Sequence, residues 1–343
     1  MVLASGSPDA EPAATRPGAL RAAVEAAGQR SPLTGHEGKS GATLERVVLA
    51  DGSRLIVKRL SAANDLMMRL LGADVGKEYV LWSAGVLDDL PDGVGHAVVD
   101  GWVDGDTTVL VMRDLGNAVL TWERHLTRAQ CRRVLTATSA MHRRWLGDPP
   151  DGLTPLPDLL GLFAPTRIAA HGVSDNPLAA LVLRGWEIFV EWVSPDVAEP
   201  VLDLLGTPEP LATALGNGPM TLVHGDLATV NIAFERDQVT LLDWGMPAAA
   251  PAAFDLARLL AGCASVLDLS REEVIDDFRR LAGPAHDETS LRLGLLSALV
   301  WLGWNKALDA AEHPDPAIRS RERADLDWWV GHARNSLQSG DLG

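Results

Sequence analysis

The chain has 343 residues, 47% hydrophobic and 22% charged, which excludes a disordered or fibrous protein and exceeds the usual size of a single core, so two lobes are expected. Its 46 Asp and Glu against 30 Lys and Arg give a formal net charge of -16, a field that repels phosphate backbones and makes nucleic acid an unsuitable partner while attracting cationic small molecules. The only two cysteines, Cys131 and Cys263, lie in apolar helical patterns and read as reduced packing residues of a cytoplasmic chain.

Residues 1–30 begin MVLASGSPDAEPAATRPGAL, without the basic cluster and apolar run of a signal peptide, and read as a tail, disordered or helical. TLERVVL and RLIVK flank Ala50-Asp51-Gly52, which predicts a hairpin. An amphipathic stretch over 65–85, broken at Gly72 and Gly76, ends in the helical segment KEYVLWSAG, and HAVVDGWVD and TTVLVMRDLG then read as two strands. Beyond Gly116 helical patterns dominate, among them RAQCRRVLTATSAMHRRW and PLAALVLRGWEIFVEWV. LGLLSALVWLGW is too short to cross a bilayer and reads as a buried helix, so no membrane partner is expected. One strand-rich island remains, TLVHGDLATVNIAFERDQVTLLDWG over 221–245. The expected fold class is α+β: a small antiparallel-sheet lobe over 31–116, then a large, mostly helical lobe over 117–343 that carries the island.

The island holds the chemistry. In HGDLATVN, Asp226 can take a proton from an attacking hydroxyl and Asn231 can offer an amide oxygen to a hard cation; Asp243 of LLDWG follows a strand that pairs back toward the same point. Alone, an Asp beside Gly is usually a turn former. Upstream, however, Lys58 ends a strand pattern and Glu78 lies twenty positions on in a helical one, the order expected of an ion pair that orients nucleotide phosphates.

With those residues in that order, the chain resembles the aminoglycoside phosphotransferase family of small-molecule kinases, over roughly 33–305 and most closely over 222–260. The family carries His-Gly-Asp where protein kinases carry His-Arg-Asp, and His224-Gly225-Asp226 match it. The resemblance implies a bilobal protein-kinase-like fold, ATP or GTP and Mg2+ as cofactors, Asp226 as catalytic base, Asn231 and Asp243 as metal ligands, and Lys58 paired with Glu78 on the phosphates. It further implies that Asp255 of FDLARLL and His224 brace the catalytic loop, and that backbone groups near Arg113 and Leu115 of VLVMRDLG contact adenine. Only twelve positions separate Asp243 from Asp255, too few for a peptide-docking platform, so a small hydroxylated acceptor is expected.

GHEGKSG imitates a Walker loop, but that motif needs glycine five residues before Gly38, where Leu33 stands. As a nucleotide-covering loop it would bring Lys39 and Ser40 to the phosphates. His142 of SAMHRRW reads as a packing residue on a helix. The chain has eleven Trp, several of them set among acids in large-lobe helices, and Glu187, Glu191, Trp301, Trp304 and Asn305 are the candidate acceptor contacts, suited to amino sugars or cationic amines. An antibiotic kinase is the leading expectation, a metabolic sugar, amino-sugar or amino-alcohol kinase the next, and a pseudokinase-like binder the reading from another class. The sequence leaves the oligomeric state open.

Overall fold

The computed structural model describes residues 19–33 and 41–342. Its first part runs α1 (Ala19–Ala26), β1 (Gln29–Pro32), β2 (Thr43–Val48), β3 (Arg54–Leu60), α2 (Leu66–Leu70), α3 (Lys77–Ser83), β4 (Val94–Gly95), β5 (Val98–Asp104) and β6 (Thr107–Arg113). Five of the strands form an antiparallel sheet in the order β1-β2-β3-β6-β5, with the expected hairpin joining β2 to β3. Side chains alternate across it. Val47, Val57, Val109 and Val111 gather on the outer face with Val24 of α1, while Ile56, Leu60, Leu110 and Met112 face the main core. Lys58 shares the register of Ile56 and Leu60, so its stem points inward, toward the large lobe.

Of residues 1–30, expected as a disordered or helical tail, 1–18 lie outside the described residues and 19–26 form the helix α1. An outer face made of valines needs a cover, and α1 supplies it: Val24 is fully buried, Arg21 lies 5.0 Å over the Trp102 ring, and β1 begins at Gln29 as the edge strand of the sheet.

The second part contains α4 (Arg128–Arg144), α5 (Leu156–Leu160), α6 (Pro165–Ala170), α7 (Pro177–Trp192), α8 (Pro195–Gly206), α9 (Glu209–Gly216), β7 (Met220–Val223), β8 (Ile232–Phe234), β9 (Val239–Leu241), β10 (Ala248–Pro251), α10 (Ala253–Cys263), α11 (Arg271–Ala282), α12 (Glu288–Glu312) and α13 (Pro316–Gln338). Local chemistry starts several of these helices. Thr127 with Gln130 and Ser270 with Glu273 form capping boxes at α4 and α11, while Asn176, Asp287 and Asp315 cap α7, α12 and α13. The island does not form one sheet. β8 and β9 make the expected hairpin with β4 added in parallel, whereas β7 pairs with β10, whose sequence AAAP carries no strand pattern.

α12 contains LGLLSALVWLGW and is buried on nearly every side, packed against α7, α10 and α13. Among the described residues no helix is long and apolar enough to cross a membrane. α7 and α12 touch at the backbone: a Cβ on Gly185 would stand 2.3 Å from the Trp304 carbonyl oxygen. Replacing Gly185 with Ala is therefore expected to destabilise the fold by roughly 1–3 kcal/mol through overpacking. Urea unfolding would read this as a lowered midpoint; an unmoved midpoint would show that the two helices can part freely.

Candidate active site

The catalytic loop leaves β7 at Val223 and turns at once, because Gly225 has φ 82° and any Cβ there would stand 1.7 Å from the Met246 carbonyl oxygen. Asp255, fully buried on α10, holds the turn. Its Oδ2 accepts from the His224 backbone N–H and faces His142 Nε2, both at 2.9 Å, and its Oδ1 accepts from the Gly225 N–H at 2.9 Å. Burial alone would push the Asp255 carboxyl up; the hydrogen bond from His142 and the loop amides outweigh it, and the group stays below the usual carboxylate range. His142 is thus a partner of a buried acid and more than packing. His224 uses both ring nitrogens locally, Nδ1 accepting from the Asp226 N–H at 3.3 Å and Nε2 donating to the Leu242 carbonyl at 2.9 Å, an arrangement that braces the loop and frees neither nitrogen for acid–base work.

Asp226 stands at the loop tip with both oxygens engaged. Asn231 Nδ2 donates to Asp226 Oδ2 at 3.0 Å and to the Asp226 carbonyl at 2.9 Å, which turns the Asn231 amide oxygen the other way. Arg258 of α10 donates from Nε to Asp226 Oδ1 at 2.8 Å, and its Nη2 lies 2.7 Å from the same oxygen in the ion pair. Sequence reasoning missed Arg258. The available signal was its position three residues after Asp255 in a helix otherwise apolar all round, since a charge in such a helix must find a partner.

Across the cleft, Lys58 Nζ lies 3.0 Å from Glu78 Oε2 of α3 and 2.6 Å from Asp243 Oδ1. Burial disfavours the ammonium, yet the two carboxylates outweigh it and raise its pKa above the ordinary lysine value; Lys58 in turn holds the Asp243 carboxyl below its usual range. Asp243 has φ 57°, the only positive φ of a non-glycine residue among the described residues, and its side chain is 48% exposed while the adjacent Trp244 is fully buried. The buried Trp244 anchors the turn and the left-handed backbone swings the carboxylate into the cleft. The Leu242 N–H donates to the Asn231 carbonyl at 2.8 Å, tying the two loops side by side. The donor set is hard oxygen: Asp243 Oδ2 and Asn231 Oδ1, which fits Mg2+ completed by phosphates and water. No group of three His, Cys, Asp or Glu among the described residues could hold a metal by itself.

Other expected residues do different work. The Arg113 guanidinium clamps the lobes, bonding Glu235 at 2.6 and 3.0 Å and the His96 carbonyl at 2.9 Å, and the Arg113 N–H already donates to the Ala97 carbonyl at 2.8 Å. The Leu115 carbonyl accepts from Ala118 N–H at 3.0 Å, so an adenine contact in this stretch would fall to the Arg113 carbonyl or the Leu115 N–H. Lys39 and Ser40 lie outside the described residues. Trp301 and Trp304 are core residues, 2% and 7% exposed, packed on Phe163 with centroids 6.1 and 5.6 Å away, and offer no ring face to an acceptor. Glu187 is exposed on α7 and paired with Arg184, Glu191 is exposed on the same helix, and Asn305 is half-buried and bonded to Asp309 at 3.1 Å. Helical periodicity put these residues on faces without telling which face meets a neighbour.

Residues 109–292 match the phosphotransferase enzyme family, more than half of the chain. The chain belongs to that family. It is an ATP-dependent phosphotransferase of small molecules. Among solved structures, a choline kinase from Streptococcus pneumoniae is similar at 11% identity and TM-score 0.53, covering 88% of this chain and 93% of that one. An aminoglycoside phosphotransferase from Streptomyces rimosus is similar at 20% identity and TM-score 0.50, covering 83% and 96%. At such identities the likeness shows a shared kinase-like fold. No curated protein matches the chain by sequence.

The clamp of this phosphotransferase gives a pH prediction. The hydrogen bond from Arg113, helped by Thr240 and Gln238, brings Glu235 from an ordinary 4.5 down to about 2. A depressed acid contributes stability that is complete above its unfolded pKa and is lost as pH falls through the folded one, so the Glu235 contribution fades between pH 4.5 and 2. Melting temperatures from neutral pH down to pH 3 should fall less steeply at the acid end in Glu235→Gln than in the unaltered chain; parallel curves would remove the clamp from the acid response.

Proposed function

We propose that the chain transfers the γ-phosphoryl group of ATP to a hydroxyl of a small antibiotic of the amino-sugar or nucleoside type, with Asp226 as the base. The observation that carries the reading is one cleft holding the Asp226–Asn231 pair on one side and Lys58 between Glu78 and Asp243 on the other. A binding module without turnover would have no need of that complete polar set.

Arg258 donates from Nε to Asp226 Oδ1 and brings Nη2 to 2.7 Å of that oxygen, while Asn231 donates to Oδ2 alone, so the less crowded oxygen for an acceptor hydroxyl is Oδ2. The hydroxyl proton passes to that oxygen, the freed oxygen bonds the γ-phosphorus, and the bond from phosphorus to the bridging oxygen breaks to release ADP. Lys58, held in place by Glu78, presents its ammonium to the phosphates from the sheet side. Asn231 and Asp243 would hold Mg2+, which when bound offsets the charge on the phosphate oxygens.

The acceptor reading draws support from the acidic chain and from the Streptomyces rimosus neighbour, named for aminoglycosides. A second reading, a metabolic kinase of a sugar or amino alcohol, is favoured by one observation. Beside Asn305, buried Lys306 lies 2.8 Å from Glu322 and 2.6 Å from Asp325, Arg271 also pairs with Asp325 and Arg321 with Glu322, so those acids are already neutralised within the chain. ADP release measured across aminoglycosides, nucleoside antibiotics, sugars and amino alcohols separates the two; turnover with a neutral sugar alone would discard the antibiotic.

Asp226→Ala should lower turnover by roughly 10²- to 10⁴-fold with ATP binding kept, and near-normal turnover would remove Asp226 from the base role. Asp243→Ala should instead abolish the Mg2+ dependence of ATP binding, read by titration calorimetry with and without the ion; an unchanged dependence would remove Asp243 from the metal site.

A further inference from the structure

The contact between Arg258 and Asp226 has an unusual form. An arginine commonly grips a carboxylate with two nitrogens on two oxygens. Here Nε and Nη2 both converge on Oδ1, at 2.8 and 2.7 Å, and Asn231 Nδ2 takes Oδ2 at 3.0 Å. One hydrogen bond to each oxygen, with Nη2 crowding Oδ1, fixes the carboxylate against rotation and leaves Oδ2 as the more open oxygen for an acceptor hydroxyl. The guanidinium rests 5.7 Å above the Trp301 ring, so the buried indole that cannot meet an acceptor directly forms the floor under the arginine that aims the base.

A second, independent observation concerns Gly262, four residues after Arg258 on α10. Its φ is not positive, so nothing in the backbone calls for glycine, and glycine is the poorest helix former after proline. Its space is what matters: a Cβ on Gly262 would stand 2.4 Å from Arg258 Nη1, and the Trp122 ring closes the other side at 3.6 Å. The helix gives up a favourable residue at a place where a methyl group would push the guanidinium.

We propose that Arg258 is a positioning residue for phosphoryl transfer, which selects Oδ2 of Asp226 as the proton acceptor, and that Gly262 is glycine to leave room for its guanidinium. The inference rests on the reading of Asp226 as the base. It concerns kcat, since neither residue touches the nucleotide-facing group of Lys58, Glu78 and Asp243.

The test uses the full chain and begins with the unaltered protein. Mg–ATP binding is measured by calorimetry, and ADP release is followed with the best acceptor of the panel, or with water as acceptor if no other is used. The key variant is Gly262→Ala, because the atom it meets is the end of a flexible side chain and alanine favours the helix. Its melting temperature should be equal or higher, its Mg–ATP affinity unchanged, and its kcat lower by on the order of 10- to 100-fold, the loss typical of a catalytic group displaced by about 1 Å. Arg258→Lys, which keeps the charge and loses the two-point grip, should recover part of the kcat that Arg258→Ala loses.

Gly262→Ala with unaltered kcat overturns the proposal, as does Arg258→Ala that lowers the melting temperature while kcat per folded molecule stays the same. An unaltered chain that neither binds Mg–ATP nor releases ADP overturns the phosphotransfer reading and this inference together. Loss of turnover in Asp226→Ala with none in Gly262→Ala overturns this inference alone.

Discussion

A buried carboxylate is costly unless hydrogen bonds replace the water it has lost, and Asp255 is fully buried. Its replacements are His142 from α4 and the His224 and Gly225 amides from the loop after β7. The donors come from two separated parts of the chain and the anion from a third, so satisfying it fixes α10, α4 and the loop after β7 relative to one another. The turn at Gly225 and the place of Asp226 follow from that fixed frame. Thr221 reinforces it, since its hydroxyl donates to the His142 carbonyl at 2.6 Å. Each donor left unmade would cost part of the desolvation that the others offset.

The same logic operates between the lobes with the signs reversed. Lys58 is a buried cation drawn from the sheet, and its two carboxylates come from α3 in the small lobe and from the turn after β9 in the large one. The two lobes are thus tied across the cleft by ion pairs to one buried cation. Two further contacts restrain the lobes without touching it: Arg113 with Glu235, and Lys77 Nζ with the Gly152 carbonyl at 3.0 Å.

Net charge is a weak guide to the acceptor. The chain is strongly acidic, yet Glu322 and Asp325 are neutralised by Lys306, Arg271 and Arg321, and Asp226 by Arg258. Much of the unpaired negative charge sits on exposed surfaces such as Glu191 of α7, where solvent screens it. The field at the acceptor depends on pairings within a few ångströms, and composition does not report them.

By itself the sequence determined the two-lobe plan and the β2–β3 hairpin, and it singled out Lys58, Glu78, Asp226, Asn231 and Asp243, which the structure brings together, because each depends on local order: a turn dipeptide, a strand period, a loop of fixed spacing. His224, Gly225 and the burial of α12 were legible for the same reason. Tertiary structure decided the rest. That α1 covers the sheet, that β7 pairs with β10, that Arg113 clamps Glu235 and that Trp301 and Trp304 are core residues all depend on which surfaces meet across long stretches of chain. Periodicity assigns a side chain to a face and says nothing of the neighbour opposite. The grip of Arg258 on Asp226 is of this kind, for its partner lies 32 residues away and a Cβ on Gly262 would stand 2.4 Å from its Nη1.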